Sequence, residues 1–349
     1  MIPPILRSSK QTWNRLSQIA PARAGDLAYQ RFCTPLLSES RTPDHSKLVE
    51  RARRHLRHAE HHMLLTCEGW VRVYTFEPLK RDDCDCNGLS TADAFRPKNG
   101  RDTEVQDPKT VILVHGWTSE ASFMAAIAEA LRRAGFRVIL FDFPAHGLSP
   151  GTHTNIICCA RVFIDVVDNF GPVDYALSHS MGGWSTLLAA GGDKPYKRAC
   201  VLDGYVFIAT PNDFRATTSQ FSKSLGLTKT AHRHYERHLE RVAHQDLSKL
   251  STANYLNMIG KKALFLHSRD DQEISVTNAE EVDAACSKAT FISVDGLGHR
   301  RILYASNVTR HATKFLHELS SGQARQSVVQ RATKAKPQIE PAVGLSGQA

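Results

Sequence analysis

From Thr110 onward, short apolar runs rich in β-branched and aromatic residues alternate with longer segments of helical periodicity, and this alternation constrains the fold more than any other feature. Thr110-Val111-Ile112-Leu113-Val114, Arg137-Val138-Ile139-Leu140-Phe141-Asp142, Val173-Asp174-Tyr175-Ala176-Leu177, residues 201–208, the run starting at Ala263, and Thr290-Phe291-Ile292-Ser293-Val294 read as strands. Strands without polar alternation are buried on both faces, so the pattern predicts a mostly parallel sheet covered by helices on both sides. Helices are expected over residues 121–134, 155–169, 184–190, 279–287 and 299–319. Upstream, Met63-Leu64-Leu65-Thr66 and Trp70-Val71-Arg72-Val73-Tyr74-Thr75-Phe76 are split by Glu68-Gly69 and read as an antiparallel hairpin. Residues 81–107 are polar, with Gly88, Pro97 and Gly100, and read as a loop.

Ser178-His179-Ser180-Met181-Gly182-Gly183 lies directly between an apolar strand and a helix-like segment. A serine hydroxyl held out for attack requires the chain to reverse sharply around it, which crowds the positions two before and two after. Gly182 meets that demand; Ser178 stands where the commonest form, G-x-S-x-G, has Gly. Downstream, one strand runs into Ser268-Arg269-Asp270-Asp271 and another into Asp295-Gly296-Leu297-Gly298-His299. A nucleophile, an acid and a histidine thus each follow a strand, in the chain order Ser, Asp, His.

With these pieces, together with His115-Gly116-Trp117 and Asp142-Phe143-Pro144-Ala145-His146-Gly147-Leu148-Ser149, the chain resembles the α/β-hydrolase superfamily over about residues 110–319. The resemblance implies an α/β-hydrolase fold with a mostly parallel central sheet, helices on both faces and a short helical lid. The lid is expected over about residues 212–258, inside the long segment 209–262. It also implies Ser180 as nucleophile, His299 as base, and the backbone N–H groups of Trp117 and Met181 as an oxyanion hole. For the acid, Asp270 competes with Asp271. The family pattern places the carboxylate three residues after the small residue that follows His267, which selects Asp271 and leaves Asp270 to cap the loop. Asp213 is a more distant rival, and Ser180 and His299 each have a plainer reading, as a turn residue and a helix-start histidine.

The function so implied is hydrolysis of a carboxylic ester of a small-molecule acyl substrate through an acyl-enzyme, with no cofactor and no metal. Thioester, amide or carbon-carbon bond hydrolysis and acyl transfer use the same constellation. A catalytically silent binding protein of this fold is the alternative of another class; the presence of all three triad residue types argues against it.

The formal charge of +9 suggests a polyanion at first sight. By region, however, residues 1–60 hold 11 Lys and Arg against 5 Asp and Glu, residues 320–349 hold 4 against 1, and residues 61–319 hold 29 of each. The excess lies in the ends, so no nucleic acid is expected. The domain reading is a basic helical N-terminal extension over 1–60, cut by prolines, a hydrolase domain over 61–319 and a disordered tail over 320–349. Those prolines also argue against a long amphipathic helix docking a lipase on a membrane. No run approaches 18 apolar residues, so no stable membrane insertion is expected, and the residues 1–24 lack a secretory core; the placement expected is cytoplasmic. Cys158 and Cys159 fall in an expected helix and Cys200 in an expected strand, where free thiols are ordinary; Cys84 and Cys86 lack a second ligand pair at zinc spacing. His234 and His238 are spaced to share a helix face, and with His232 and His244 read as a polar solvent face rather than a metal pair. His115, His146 and His179 need no role beyond packing or hydrogen bonding. The oligomeric state is not legible.

Overall fold

The computed structural model describes residues 8–35, 43–79, 107–192 and 198–322. Three helices, α1 (Lys10–Ile19), α2 (Pro21–Phe32) and α3 (Pro43–His55), precede the hairpin of β1 (Glu60–Thr66) and β2 (Gly69–Phe76). Strands and helices then alternate: β3 (Thr110–Val114), α4 (Ala125–Arg133), β4 (Arg137–Phe141), α5 (Ile156–Phe170), β5 (Tyr175–His179), α6 (Met181–Gly191) and β6 (Gly204–Ile208). A helical segment follows, α7 (Phe214–Leu225), α8 (Lys229–Ala243) and α9 (Thr252–Ile259). The chain returns to the sheet with β7 (Lys262–Ser268), α10 (Thr277–Ala285) and β8 (Ala289–Val294), and closes with α11 (Gly298–Arg301) and α12 (Ser306–Ser320).

Among the described residues the strands form one sheet in the order β1-β2-β4-β3-β5-β6-β7-β8. The pairs β1/β2 and β2/β4 are antiparallel and every other pair is parallel. This is the mostly parallel sheet that the alternation predicts. Both faces are filled. Ile112, Val114, Ile139, Phe141, Phe207 and Phe265 join the core with α5, α6 and α8, whereas Val111, Leu113, Val138, Leu140, Val206 and Leu264 join the core with α4 and α12. Each such side chain contributes about 1.5–3 kcal/mol on burial, so the sheet is a stiff base for the loops at its ends.

The order reverses between β3 and β5: the chain goes outward from β3 to β4 on one side and from β5 to β6 on the other. Loops diverging at such a point open a crevice at the carboxyl ends of the strands, where open α/β sheets bind ligands. The loop after β3 and the turn after β5 flank that crevice.

Three sequence expectations are corrected. The segment 299–319 is not one helix: α11 passes into a short 3-10 turn at Ile302–Tyr304, extended Ala305 breaks the run, and α12 begins afresh at Ser306. Ser306 and Asn307 favour a new helix start over helix continuation. Cys200 is buried but precedes the strand, which begins at Gly204. His234 and His238 do not form a solvent face. Both are half-buried against α2, because Gly25 lets the helices approach so closely that a Cβ there would lie 2.5 Å from His234 Cβ. Cys84, Cys86, nearly all of the expected loop at 81–107 and the tail beyond residue 322 lie outside the described residues.

Candidate active site

β5 ends at His179, and Ser180 turns the chain directly into α6 with φ 51° and ψ −127°. A positive φ is strained for any side chain bearing Cβ, typically by about 1–3 kcal/mol, and such strain persists only where the surroundings impose it. Here Ser180 N–H donates to the Ile208 carbonyl at 2.9 Å and Gly183 N–H donates to the Ser180 carbonyl at 3.0 Å. Gly182 carries the start of α6 against the end of β3, where a Cβ would stand 2.4 Å from the His115 carbonyl oxygen. At Ser178, where Gly is usual, the buried hydroxyl lies 2.8 Å from Thr186 Oγ1, one helical turn into α6.

The structure brings Ser180, His299 and Asp271 into one hydrogen-bonded chain. His299 Nε2 lies 3.0 Å from Ser180 Oγ and its Nδ1 lies 2.8 Å from Asp271 Oδ2. A carboxylate only accepts, so the proton sits on Nδ1 and Nε2 is left to accept the serine proton. Burial alone would push the Asp271 carboxyl up. Hydrogen bonds from His267, His299 and the Ile274 N–H outweigh it and hold the group well below the usual carboxylate range, as an anion.

Asp270 is turned elsewhere: it accepts from Ser268 Oγ and from the Gly298 N–H at 3.2 Å, closing the loop that presents His299. Asp213 caps α7, accepting the Ala216 N–H at 3.0 Å. Trp117 and Met181 both line the cavity beside Ser180, and among the described residues neither backbone N–H meets a protein acceptor.

Two further residues belong to the arrangement: His179, in the packing and hydrogen-bonding role expected of it, and His267, to which the sequence assigns none. His179 donates Nε2–H to the His299 carbonyl at 2.9 Å and packs its ring 4.8 Å from that of His299. Burial, with His299 adding to it, pulls its pKa down to about 3, so it is a neutral support. His267 Nε2 lies 2.9 Å from the Ile274 carbonyl and 3.2 Å from Asp271 Oδ2, bracing the carboxylate from the strand end. Their positions in the sequence, next to the serine and four residues before the acid, were the available signals. Asp142 of the second loop accepts N–H bonds from Ala121 and Leu148 and the Tyr74 hydroxyl, tying together the loops after β3 and β4.

The cavity over Ser180 has a volume of about 500 Å³. Trp117, Phe123, Met181, Phe221, Leu303 and Tyr304 make its apolar wall, and the ion pair of Glu273 with Arg300, at 2.9 Å, is part of its polar side. α7 contributes Thr217, Gln220, Phe221 and Ser224. Among the described residues no group of three or more His, Cys, Asp or Glu could hold a metal ion, and no helix is long and apolar enough to cross a membrane. His232 instead meets Ser222 Oγ at 2.7 Å and His238 meets Asp26 at 2.5 Å.

The model of the alpha/beta hydrolase family matches residues 111–311. No curated protein matches the chain. Among solved structures, a "putative lipase" from Acinetobacter baumannii AYE aligns with TM-score 0.54 at 15% identity, over 80% of this chain and 97% of that one. Est1E from Butyrivibrio proteoclasticus aligns with TM-score 0.52 at 15% identity, over 75% and 99%. The Pyrococcus furiosus esterase Pf2001 aligns with TM-score 0.50 at 19% identity, over 76% and 94%. At these identities the likeness to the three structures is one of fold.

Proposed function

The chain belongs to the alpha/beta hydrolase family, and from that premise we propose that it is a serine hydrolase that cleaves carboxylic esters through an acyl-enzyme intermediate. The observation that carries the reading is the unbroken chain Ser180 Oγ, His299, Asp271 opening into a largely apolar cavity.

In this reading His299 Nε2 takes the Ser180 proton as Oγ attacks the acyl carbonyl. The charge arising on the imidazole is balanced by Asp271. The carbonyl oxygen becomes an oxyanion held by the N–H groups of Trp117 and Met181, each donor being worth about 3 kcal/mol in comparable sites. His299 then protonates the leaving alkoxide, the acyl group stays on Ser180, and a water activated by the same nitrogen releases the acid. Trp117, Phe123, Met181 and Phe221 favour an apolar acyl chain over a charged one, since the cavity wall they form offers a charge no partner. A role for α7 as part of a lid follows from its place on the cavity wall, and the substrate is a small acyl compound rather than a polymer bound by charge.

The test is pre-steady-state hydrolysis of para-nitrophenyl esters, with the matching thioester and anilide run in parallel. A burst of nitrophenol equal to the enzyme concentration, with turnover of ester exceeding that of thioester and anilide, is the expected result. Turnover of the thioester or anilide above that of the ester would replace the ester assignment, and absence of turnover with all three would favour a binding protein.

A further inference from the structure

The N-terminal helices lie outside the residues matched by the family model, yet they reach the cavity wall. Phe32, the last residue of α2, stacks on Trp117 with ring centroids 5.9 Å apart and planes 14° from parallel. The same ring meets Phe221 edge-on at 5.1 Å and Tyr235 at 5.9 Å. Trp117 and Phe221 face the cavity, whereas Phe32 stands behind them, buried. Trp117 also meets His146 edge-on at 5.0 Å, whereas Phe32 is the ring that lies nearly parallel to it as a flat support.

Phe32 is fixed in place from several directions. The residue after it, Cys33, accepts the Thr154 N–H at 2.9 Å and so ties the end of α2 to the loop before α5. Asn14 donates to the Gly226 carbonyl, Ser17 accepts two hydrogen bonds from Thr228, and His238 stacks on Tyr29 while meeting Asp26. These contacts hold α1 and α2 against α7 and α8. A wall held this way does not recede freely, because packed interiors transmit strain rather than absorb it.

We infer that Phe32 is a specificity-determining residue: the N-terminal helical segment sets the depth of the acyl cavity by backing Trp117 and Phe221. The inference rests on the serine-hydrolase reading above. Truncating Phe32 leaves a void behind the two aromatic rings, and an acyl chain can occupy that void by displacing them. Acyl preference then moves toward longer chains, while the hydrogen-bonded chain at Ser180 is untouched.

The experiment measures kcat and KM for para-nitrophenyl butyrate and octanoate with the full chain, Phe32→Ala and Phe32→Leu, alongside the rate of fluorophosphonate labelling. Expected is a rise of about tenfold or more in the octanoate-to-butyrate ratio of kcat/KM for Phe32→Ala, carried by KM, with a smaller rise for Phe32→Leu, since single methylenes in apolar pockets are discriminated by about 10-fold or more. Labelling should stay near the wild-type rate. Should Phe32→Ala fail to fold, the ratio for Phe32→Leu decides. An unchanged ratio in the variants that label normally, or a fall in kcat equal for both esters, overturns the inference while leaving the hydrolase reading intact. A wild-type chain that neither labels nor hydrolyses either ester overturns both.

Discussion

Ser178 Oγ lies 2.8 Å from Thr186 Oγ1, which in turn donates to the Gly182 carbonyl at 3.1 Å. The serine at the position usually given to glycine therefore ties β5 to the first turns of α6, across the turn that holds Ser180. Replacing it with Gly removes one buried hydrogen bond, worth about 1 kcal/mol, without crowding the turn. Ser178→Gly is expected to lower stability by about 1–2 kcal/mol in denaturant titration, the loss including the extra freedom of glycine, and to keep kcat/KM near wild type. A large loss of activity at unchanged stability would mean that the hydroxyl does more than fasten the two elements.

The two adjacent carboxylates separate cleanly. Asp271 faces His299 and Asp270 faces the loop at Gly298. Asp271→Asn is expected to lower kcat by about 10⁴-fold, because an amide no longer enforces the Nδ1–H tautomer. Asp270→Asn should leave kcat near wild type and cost some thermal stability. Ester hydrolysis by the two variants checks this directly; equal losses, or the larger loss at Asp270, would reassign the acid.

Gly182 has no room for a methyl group, with backbone oxygens of His115 and Val114 at 2.4 and 2.8 Å from a built Cβ. Backbone cannot swing aside as a side chain can. Gly182→Ala should destabilise by about 1–3 kcal/mol and lower kcat, since α6 must shift and carry the Met181 N–H with it. Thermal melts and kinetics read the two effects separately, and full stability with full activity would contradict the close approach.

Three buried histidines set the response to acid. Burial pulls the pKa of His115 down to about 4 and those of His146 and His179 to about 3, from an ordinary 6.5. Between pH 6.5 and 4 the unfolded chain takes up protons at these positions and the folded chain does not. Stability present above pH 6.5 is therefore lost as pH falls through this window. Asp142 opposes them, as burial pushes its carboxyl up to about 6, but it is one group against three. The Tm should be lower near pH 5 than near pH 7, and His146→Gln should narrow the gap; a flat or rising Tm toward pH 5 would contradict the assignment.

The sheet was legible because strands buried on both faces carry no polar alternation, as in Val111-Ile112-Leu113-Val114. The elbow, the carboxylate pair and His299 were legible because each follows a strand, so their order in the chain fixes their place at one end of the sheet. What separates Asp271 from Asp270 is the direction of a turn, which composition does not carry; only the family pattern pointed to the one that meets His299. The break at Ala305 is not legible in the sequence because neither proline nor glycine marks it. The role of Phe32 is not legible either, because its partners Trp117 and Phe221 are distant in sequence and no local pattern records such a contact.

The central claim is that Ser180 is the nucleophile. Reaction with a fluorophosphonate followed by peptide mapping tests it most directly, since the reagent forms a stable adduct only on an activated hydroxyl. One adduct per chain on Ser180, absent in Ser180→Ala, with kcat for ester hydrolysis falling on the order of 10⁶-fold, is the predicted result. Equal labelling of Ser180→Ala, or an adduct on another residue, would contradict it.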